Sequence, residues 1–362
     1  MKTSPRSCVL IDLAAVRHNV AHLVDMLAPG TRLLVAVKAD GYGHGTLPVA
    51  RAAVAAGAQG VAVATAEEAV ALRDAGYAQT ILVMGPLYSF DQYEEMARQG
   101  VEFAVVSDHM AAVLPGLRGS GLRARVHLKI DSGMNRQGLF PEEVGPFLES
   151  IRGIPEIELA GVMTHFACVP EDPATVDFQL GRFLPAVEEV RREWPGVIAH
   201  AANSAATVQA PRSHLDMVRC GCAVYGLSPW QEDAVAEGLR PALAWKSQVA
   251  LVKRVAAGEG VGYGHAFRPG RPTDVALVPI GYGDGVFRAF SNQGEVLING
   301  RRYPVAGRIS MDSFGVDVGT DGSVKVSDTV TLIGADGEDR ISVEEVARRL
   351  GTINYEITCD IA

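Results

Sequence analysis

A chain of 362 residues is long enough for two domains and a large core, and its 48% apolar content is ordinary for a globular enzyme and excludes disorder. A formal charge of −9 and a pI near 5.5, with no basic run and no aromatic-and-basic stripe, exclude nucleic acid as a partner. The longest apolar stretches are strand-length, short of the ~18 residues a membrane helix needs, and Met1 to Leu10 lacks the apolar middle of a secretory signal. The five cysteines (Cys8, Cys168, Cys220, Cys222 and Cys359) are an odd number without a C-x-x-C pair. Cys220 and Cys222 read as two packed thiols on one face of a strand, not as metal ligands, and the setting implied is reducing and cytoplasmic.

Ile11 to Leu27 has helical spacing, with Leu13, Val16, Val20, Leu23, Val24 and Leu27 largely on one face. Short apolar runs follow at 33–39, 60–64, 81–85, 102–106, 124–131, 159–167, 198–202 and 217–221. Helix-like segments such as Ala66 to Ala75, Asp91 to Gln99 and Val176 to Trp194 lie between them. Alternating β and α units over ~200 residues predict a (β/α)8 barrel. An open doubly wound sheet is the other reading; the lack of G-x-G-x-x-G after the first strand weakens its dinucleotide version. Near residue 228 the pattern changes. Ser228-Pro229-Trp230 and Pro241 mark a connection, and period-two runs follow at Trp245 to Val255, Thr273 to Ile280, Gly294 to Val305 and Ser327 to Ile333. Asn299-Gly300 signals a hairpin. Ser342 caps a helix with Glu344 and Glu345 in its first turn and Gly351 at its end, and Ile353 to Ile361 reads as a last strand. The prediction is α/β plus β: a barrel domain over 1–232 and a mainly-β domain over 233–362.

On such a barrel, chemistry sits at the C-terminal ends of the strands. Lys38 closes the first run, before a turn containing Gly41, Gly43 and Gly45. Lys129, Asp131 and Arg136 end the fifth run and His165 the sixth. Asn203 and Ser204 follow the seventh, and Arg219 and Gly221 end the eighth. A lysine closing an apolar strand is poorly solvated, which favours the neutral, nucleophilic amine of Schiff-base chemistry; a head that reaches water is the plainer reading for an isolated lysine. The loops after strands seven and eight are the usual phosphate corner, where Ser204 offers a hydroxyl and Gly221 lets a phosphate approach backbone N–H groups. A reactive lysine with a phosphate cradle points to pyridoxal phosphate, with sugar-phosphate aldolases as the competing reading.

The segments AVKADGYGHG, HLKIDSGMNRQG, THFA, ANS, MVRCGCAVYG, VGYGHAF, GYGDG, GRISMD and TINYE, in this order, closely resemble those of bacterial alanine racemases, from about residue 8 to the end. The resemblance implies a pyridoxal phosphate barrel with a β-domain, in a homodimer whose active sites are shared between chains, interconverting L- and D-alanine for peptidoglycan. It implies that Lys38 carries the cofactor covalently. Tyr42, Ser204, Gly221, Cys222 and Tyr355 match the phosphate positions, and Asn203 and His165 are further cofactor contacts. Arg219 matches the arginine facing the pyridine nitrogen, where a donor-only cation keeps that nitrogen unprotonated. His200 supports Arg219. Racemisation needs a proton removed from one face of Cα and delivered to the other; Lys38 serves the D-isomer and Tyr263, from the partner chain, the L-isomer. A tyrosine is a poor base at neutral pH, and His165 coupled to Arg219 supplies the positive charge it needs. Arg136 and Met311, the latter through its N–H, match the substrate-carboxylate contacts. Lys129 matches a lysine that many relatives carry as a carbamate; an ordinary lysine paired with Asp131 is the alternative. Tyr282, Arg288 and Asp312 match positions near the entrance. A serine or broad-specificity racemase is the alternative function. A single-domain pyridoxal phosphate-binding protein is disfavoured by the β-domain with Tyr263 and Met311. Relatives usually continue past TINYE further than Ala362, which puts β-domain packing or dimer strength in question.

Overall fold

The computed structural model describes residues 6–361; the outermost positions of the expected domains, 1–5 and 362, lie outside the described residues. The chain forms two compact units. One is Val16–Val224; the other takes in the segment ending at Ala15 and the chain from Tyr225 on.

The first strand, β1 (Ser7–Ile11), belongs to the second unit, where it pairs antiparallel with β10 (Leu243–Gln248). In the first unit, β2 (Arg32–Ala36), β3 (Gly60–Val63), β4 (Thr80–Val83), β5 (Glu102–Val105), β6 (Ala124–Lys129), β7 (Ile157–Met163), β8 (Ile198–His200) and β9 (Met217–Cys220) close in order into a parallel barrel. Closure comes from β2 pairing with β9, Leu34 opposite Arg219. Strands packed on both faces are apolar without alternation, and Leu34, Ala62, Leu82 and Met217 meet in one buried cluster. Each fully buried side chain of leucine size contributes about 1.5–3 kcal/mol. Helices Ala66–Asp74, Phe90–Arg98 and Ala174–Glu193 lie close to their sequence-derived limits.

The second unit is an antiparallel sheet in the order β1, β10, β16 (Thr329–Asp336), β13 (Glu295–Ile298), β14 (Arg301–Ala306), β15 (Phe314–Gly319), β12 (Thr273–Val278), β11 (Leu251–Val255), with β17 (Asp339–Ile341) beside β16. Asn299 and Gly300 both take positive φ, 54° and 74°, as a two-residue β13–β14 turn requires. Ser342 accepts from the Glu345 N–H, and Gly351 closes that helix in the left-handed region. The segment expected as a last strand is instead the helix Asn354–Cys359. Its buried residues Asn354, Ile357 and Thr358 fall at helical spacing. Asn354 anchors it by donating to the Ser228 carbonyl and the Glu344 carboxylate. Among the described residues no helix is long and apolar enough to cross a membrane.

Candidate active site

Lys38 opens the loop after β2, half-buried at the barrel mouth. The next four residues, Ala39, Asp40, Gly41 and Tyr42, all take left-handed conformations with φ between 47° and 61°. Such a run costs roughly 1–2 kcal/mol for each non-glycine residue. Local hydrogen bonds offset it. Asp40 accepts from the Thr46 N–H at 2.9 Å, and Gly45 donates to the Asp40 carbonyl at 2.8 Å. His44 bonds the Tyr42 carbonyl through Nδ1 at 2.8 Å, and burial pushes its pKa down to about 4, so the ring is neutral.

Glu68 was not marked in the sequence. One of its oxygens accepts from Ala39 N–H at 2.7 Å, and the other from Ala64 N–H at 2.7 Å and Thr65 N–H at 3.2 Å. It ties the Lys38 turn to the end of β3. The available signal was Thr65-x-x-Glu68, a capping box placed directly after a strand. Glu68→Ala is expected to lower stability by about 1–3 kcal/mol, read from urea unfolding; Glu68→Gln should recover part of it, and an unchanged midpoint in both variants would contradict the tether.

Four cations bear on one ring at this mouth. His165, two residues past β7, is held well below its ordinary pKa by burial first and then by Arg219, Lys129, Arg136 and Lys38. Lys129 ends β6 and is buried; desolvation and then Arg219, Arg136 and Lys38, against Asp131, bring its ammonium down to about 8. Its Nζ donates to Gln137 at 3.0 Å. Asp131 instead organises the loop that carries Arg136, accepting from the N–H groups of Gly133, Asn135 and Arg136 at 2.9–3.0 Å. The alternative of a Lys129–Asp131 pair is therefore not what these side chains make.

Arg219 lies in β9, buried, and its guanidinium donates to the carbonyls of Thr164, Ala201 and His200 and to His200 Nδ1 at 2.8 Å. His165 Nδ1 is 3.4 Å away. Burial lowers the Arg219 pKa to about 10, so it stays charged at neutral pH. Beyond β8, Asn203 caps the helix Ser204–Gln209 by accepting from Ala206 N–H. Ser204 Oγ accepts from the Gly221 N–H at 2.9 Å. A Cβ at Gly221 would sit 2.6 Å from the Tyr42 hydroxyl, so only glycine leaves that ground open. Cys222 follows, half-buried.

The remaining candidate residues lie in the second unit. Tyr263 stands in a Gly-flanked turn with its side chain 71% exposed, and Met311 is 62% exposed. Tyr282 N–H donates to the Ser310 carbonyl and Gly283 N–H to the Met311 carbonyl, so the Tyr282 and Met311 loops are zipped together; Asp312 follows Met311. A Cβ at Gly281 would meet the Ser310 carbonyl at 2.1 Å, which is what that zipper requires of the position. Arg288 opens a short 3-10 turn, and Tyr355 lies in the helix anchored by Asn354. Among the described residues no cluster of His, Cys, Asp and Glu could hold a metal ion.

A parallel barrel whose mouth gathers a lysine, further cations and a glycine-and-hydroxyl corner defines an enzyme that works with an amine on an anionic ligand. Family models describe the rest: the alanine racemase N-terminal domain matches residues 11–229, and the alanine racemase C-terminal domain matches 242–362. An alanine racemase from Symbiobacterium thermophilum is 43% identical over 97% of this chain and 94% of its own, and one from Syntrophobacter fumaroxidans 40% identical over 98% and 95%. The crystal structure of alanine racemase from Bacillus anthracis, solved with bound L-Ala-P, superposes with a TM-score of 0.91 at 36% identity, covering 100% of this chain and 94% of that one. The chain belongs to the alanine racemase family, isomerases acting on amino acids, whose members generally depend on pyridoxal phosphate.

Proposed function

We propose that this chain, in the cytoplasm, interconverts L- and D-alanine with pyridoxal phosphate held covalently on Lys38, using Lys38 and Tyr263 as bases on opposite faces of the substrate, and that its D-alanine supplies peptidoglycan. The observation that carries this reading is the convergence of Lys38, Arg219 and the Tyr42–Ser204–Gly221 corner on one barrel mouth. The mouth fits the cofactor's phosphate. Its corner offers hydroxyl and N–H groups, and four cations act on His165 at the same mouth.

When bound, pyridoxal phosphate supplies an electron-withdrawing ring that acidifies the substrate Cα–H. Arg219 is the residue for its pyridine nitrogen. A charged guanidinium donates and cannot give up its proton, so it holds a lone pair without protonating it. Ser204, Tyr42 and Tyr355 hydroxyls and the N–H groups of Gly221 and Cys222 hold the phosphate, with Asn203 fixing the helix that presents Ser204. Arg136 and the Met311 N–H take the substrate carboxylate. Lys38 takes or gives the proton on the D-face, and Tyr263 of the partner subunit on the L-face of a homodimer. His165 lies against Arg219 and relays its positive field towards that phenol. Tyr282, Arg288 and Asp312 line the entrance.

The test is D-amino-acid formation from L-alanine, L-serine and larger L-amino acids with added pyridoxal phosphate. Alanine should exceed serine by at least about tenfold, since pocket walls discriminate at that level. Equal or faster turnover of serine would favour the broad-specificity reading.

Lys129 is the proposed site of a carbamate that positions Arg136. With the ammonium brought down to about 8, roughly a tenth is neutral amine at pH 7, the form that takes up CO2. At fixed CO2 the modified fraction rises as pH increases through that value. Labelled bicarbonate should give a carbamate 13C resonance in the protein that is absent from Lys129→Ala, and that variant should raise the alanine KM by roughly tenfold. No protein-bound resonance would leave Lys129 an ordinary amine bonded to Gln137.

A further inference from the structure

Arg219 is the upper end of a chain of hydrogen bonds that descends through the barrel interior. Its NH1 is 2.8 Å from His200 Nδ1. His200 Nε2 is 2.7 Å from His127 Nδ1, and His127 Nε2 is 2.8 Å from Glu102 Oε2. Both rings are fully buried and cross at 84°. Glu102 opens β5 at the other end of the barrel, where its second oxygen meets Arg125 at 3.2 Å. The sequence accommodates this chain at a cost in aliphatic packing. His127 occupies the middle of β6, and a Cβ at Gly161 of β7 would lie 2.2 Å from its Nδ1. The β6–β7 register also shifts between Val126 and His127.

Donor chemistry fixes the protons. A guanidinium only donates, so His200 Nδ1 must carry a lone pair. His200 then carries its proton on Nε2 and donates it to His127 Nδ1. His127 in turn carries its proton on Nε2 and donates it to the Glu102 carboxylate. A proton on His127 Nδ1 would force the opposite tautomer on His200 and set its Nδ1–H against Arg219. One arrangement satisfies every member, and the carboxylate is what terminates it.

We propose that Glu102 and His127 are positioning residues of the racemase site: they hold His200 in its Nε2–H tautomer and so fix the buried Arg219 at the mouth. The consequence for turnover rests on the mouth being the cofactor site; the proton arrangement does not, and it can be read without turnover. In the purified protein, without and with pyridoxal phosphate, long-range 1H–15N spectra should show the proton of His200 and that of His127 on Nε2 alone. A wild-type His200 protonated on Nδ1 overturns the proposal, whatever the variants do. Glu102→Ala should shift His200 into a mixture of tautomers and lower the alanine kcat by about tenfold with KM changed less than about twofold. Glu102→Gln, whose amide oxygen still accepts, should restore the wild-type tautomers and most of kcat. Wild-type tautomers and wild-type kcat in Glu102→Ala would show that the chain is only packing.

Discussion

Replacing Lys38 by alanine should lower kcat/KM for both alanine isomers by more than about 10⁴-fold and abolish the visible absorbance of protein-bound pyridoxal phosphate. The expectation follows from where the residue sits. It is the second residue past β2, half-buried at the mouth, and its charge adds to the burial and the arginines that lower the pKa of both His165 and Lys129. Its backbone is held by an unusual left-handed turn that Glu68 and Asp40 tie down. An amine in that position serves as anchor and as base, so the two isomers lose together. Persistent visible absorbance in the variant, or a loss confined to one isomer, would contradict the assignment.

Tyr263→Phe should separate the isomers instead. Removing one phenol oxygen should slow solvent-deuterium exchange into L-alanine by about 10²–10⁴-fold, the usual contribution of a general base, and exchange into D-alanine by less than about tenfold. Tyr263, Met311 and Tyr282 stand exposed on the second unit, as a surface completing a partner's site would. Dilution to monomer should therefore remove activity that wild-type protein at higher concentration shows. Equal loss from both sides would remove the two-base division, and a fully active monomer would place Tyr263 in its own chain.

Much of the fold was legible because buried parallel strands are written as plain apolar runs. All the barrel strands fell within two residues of their predicted starts, and Asn299-Gly300 and Ser342…Gly351 announced a hairpin and a helix. What the sequence concealed has physical reasons. Ile353 to Ile361 is rich in β-branched residues, yet Asn354 anchors it as a helix. Trp245 to Val255 reads as one alternating run but is two strands, β10 pairing with β1 and β16, β11 with β12. FGVDVG, which forms β15 between β14 and β12, carries a glycine at two of its six positions and gives only a weak strand signal. In the site, the charged strand ends were visible one by one. Glu68, Gln137 and the Glu102–His127 chain were not, because each works through a partner 8 to 73 residues away in sequence.

One amine should anchor the cofactor, that of Lys38. Lys129 shares the mouth with Lys38, and its ammonium, brought down to about 8, makes it a credible rival for a carbonyl-bearing cofactor. Borohydride reduction of the holoenzyme, followed by peptide mass spectrometry, decides between them. A reduced cofactor adduct on the peptide bearing Lys38, at about one per chain, is the predicted result; an adduct on Lys129 with Lys38 unmodified would contradict it.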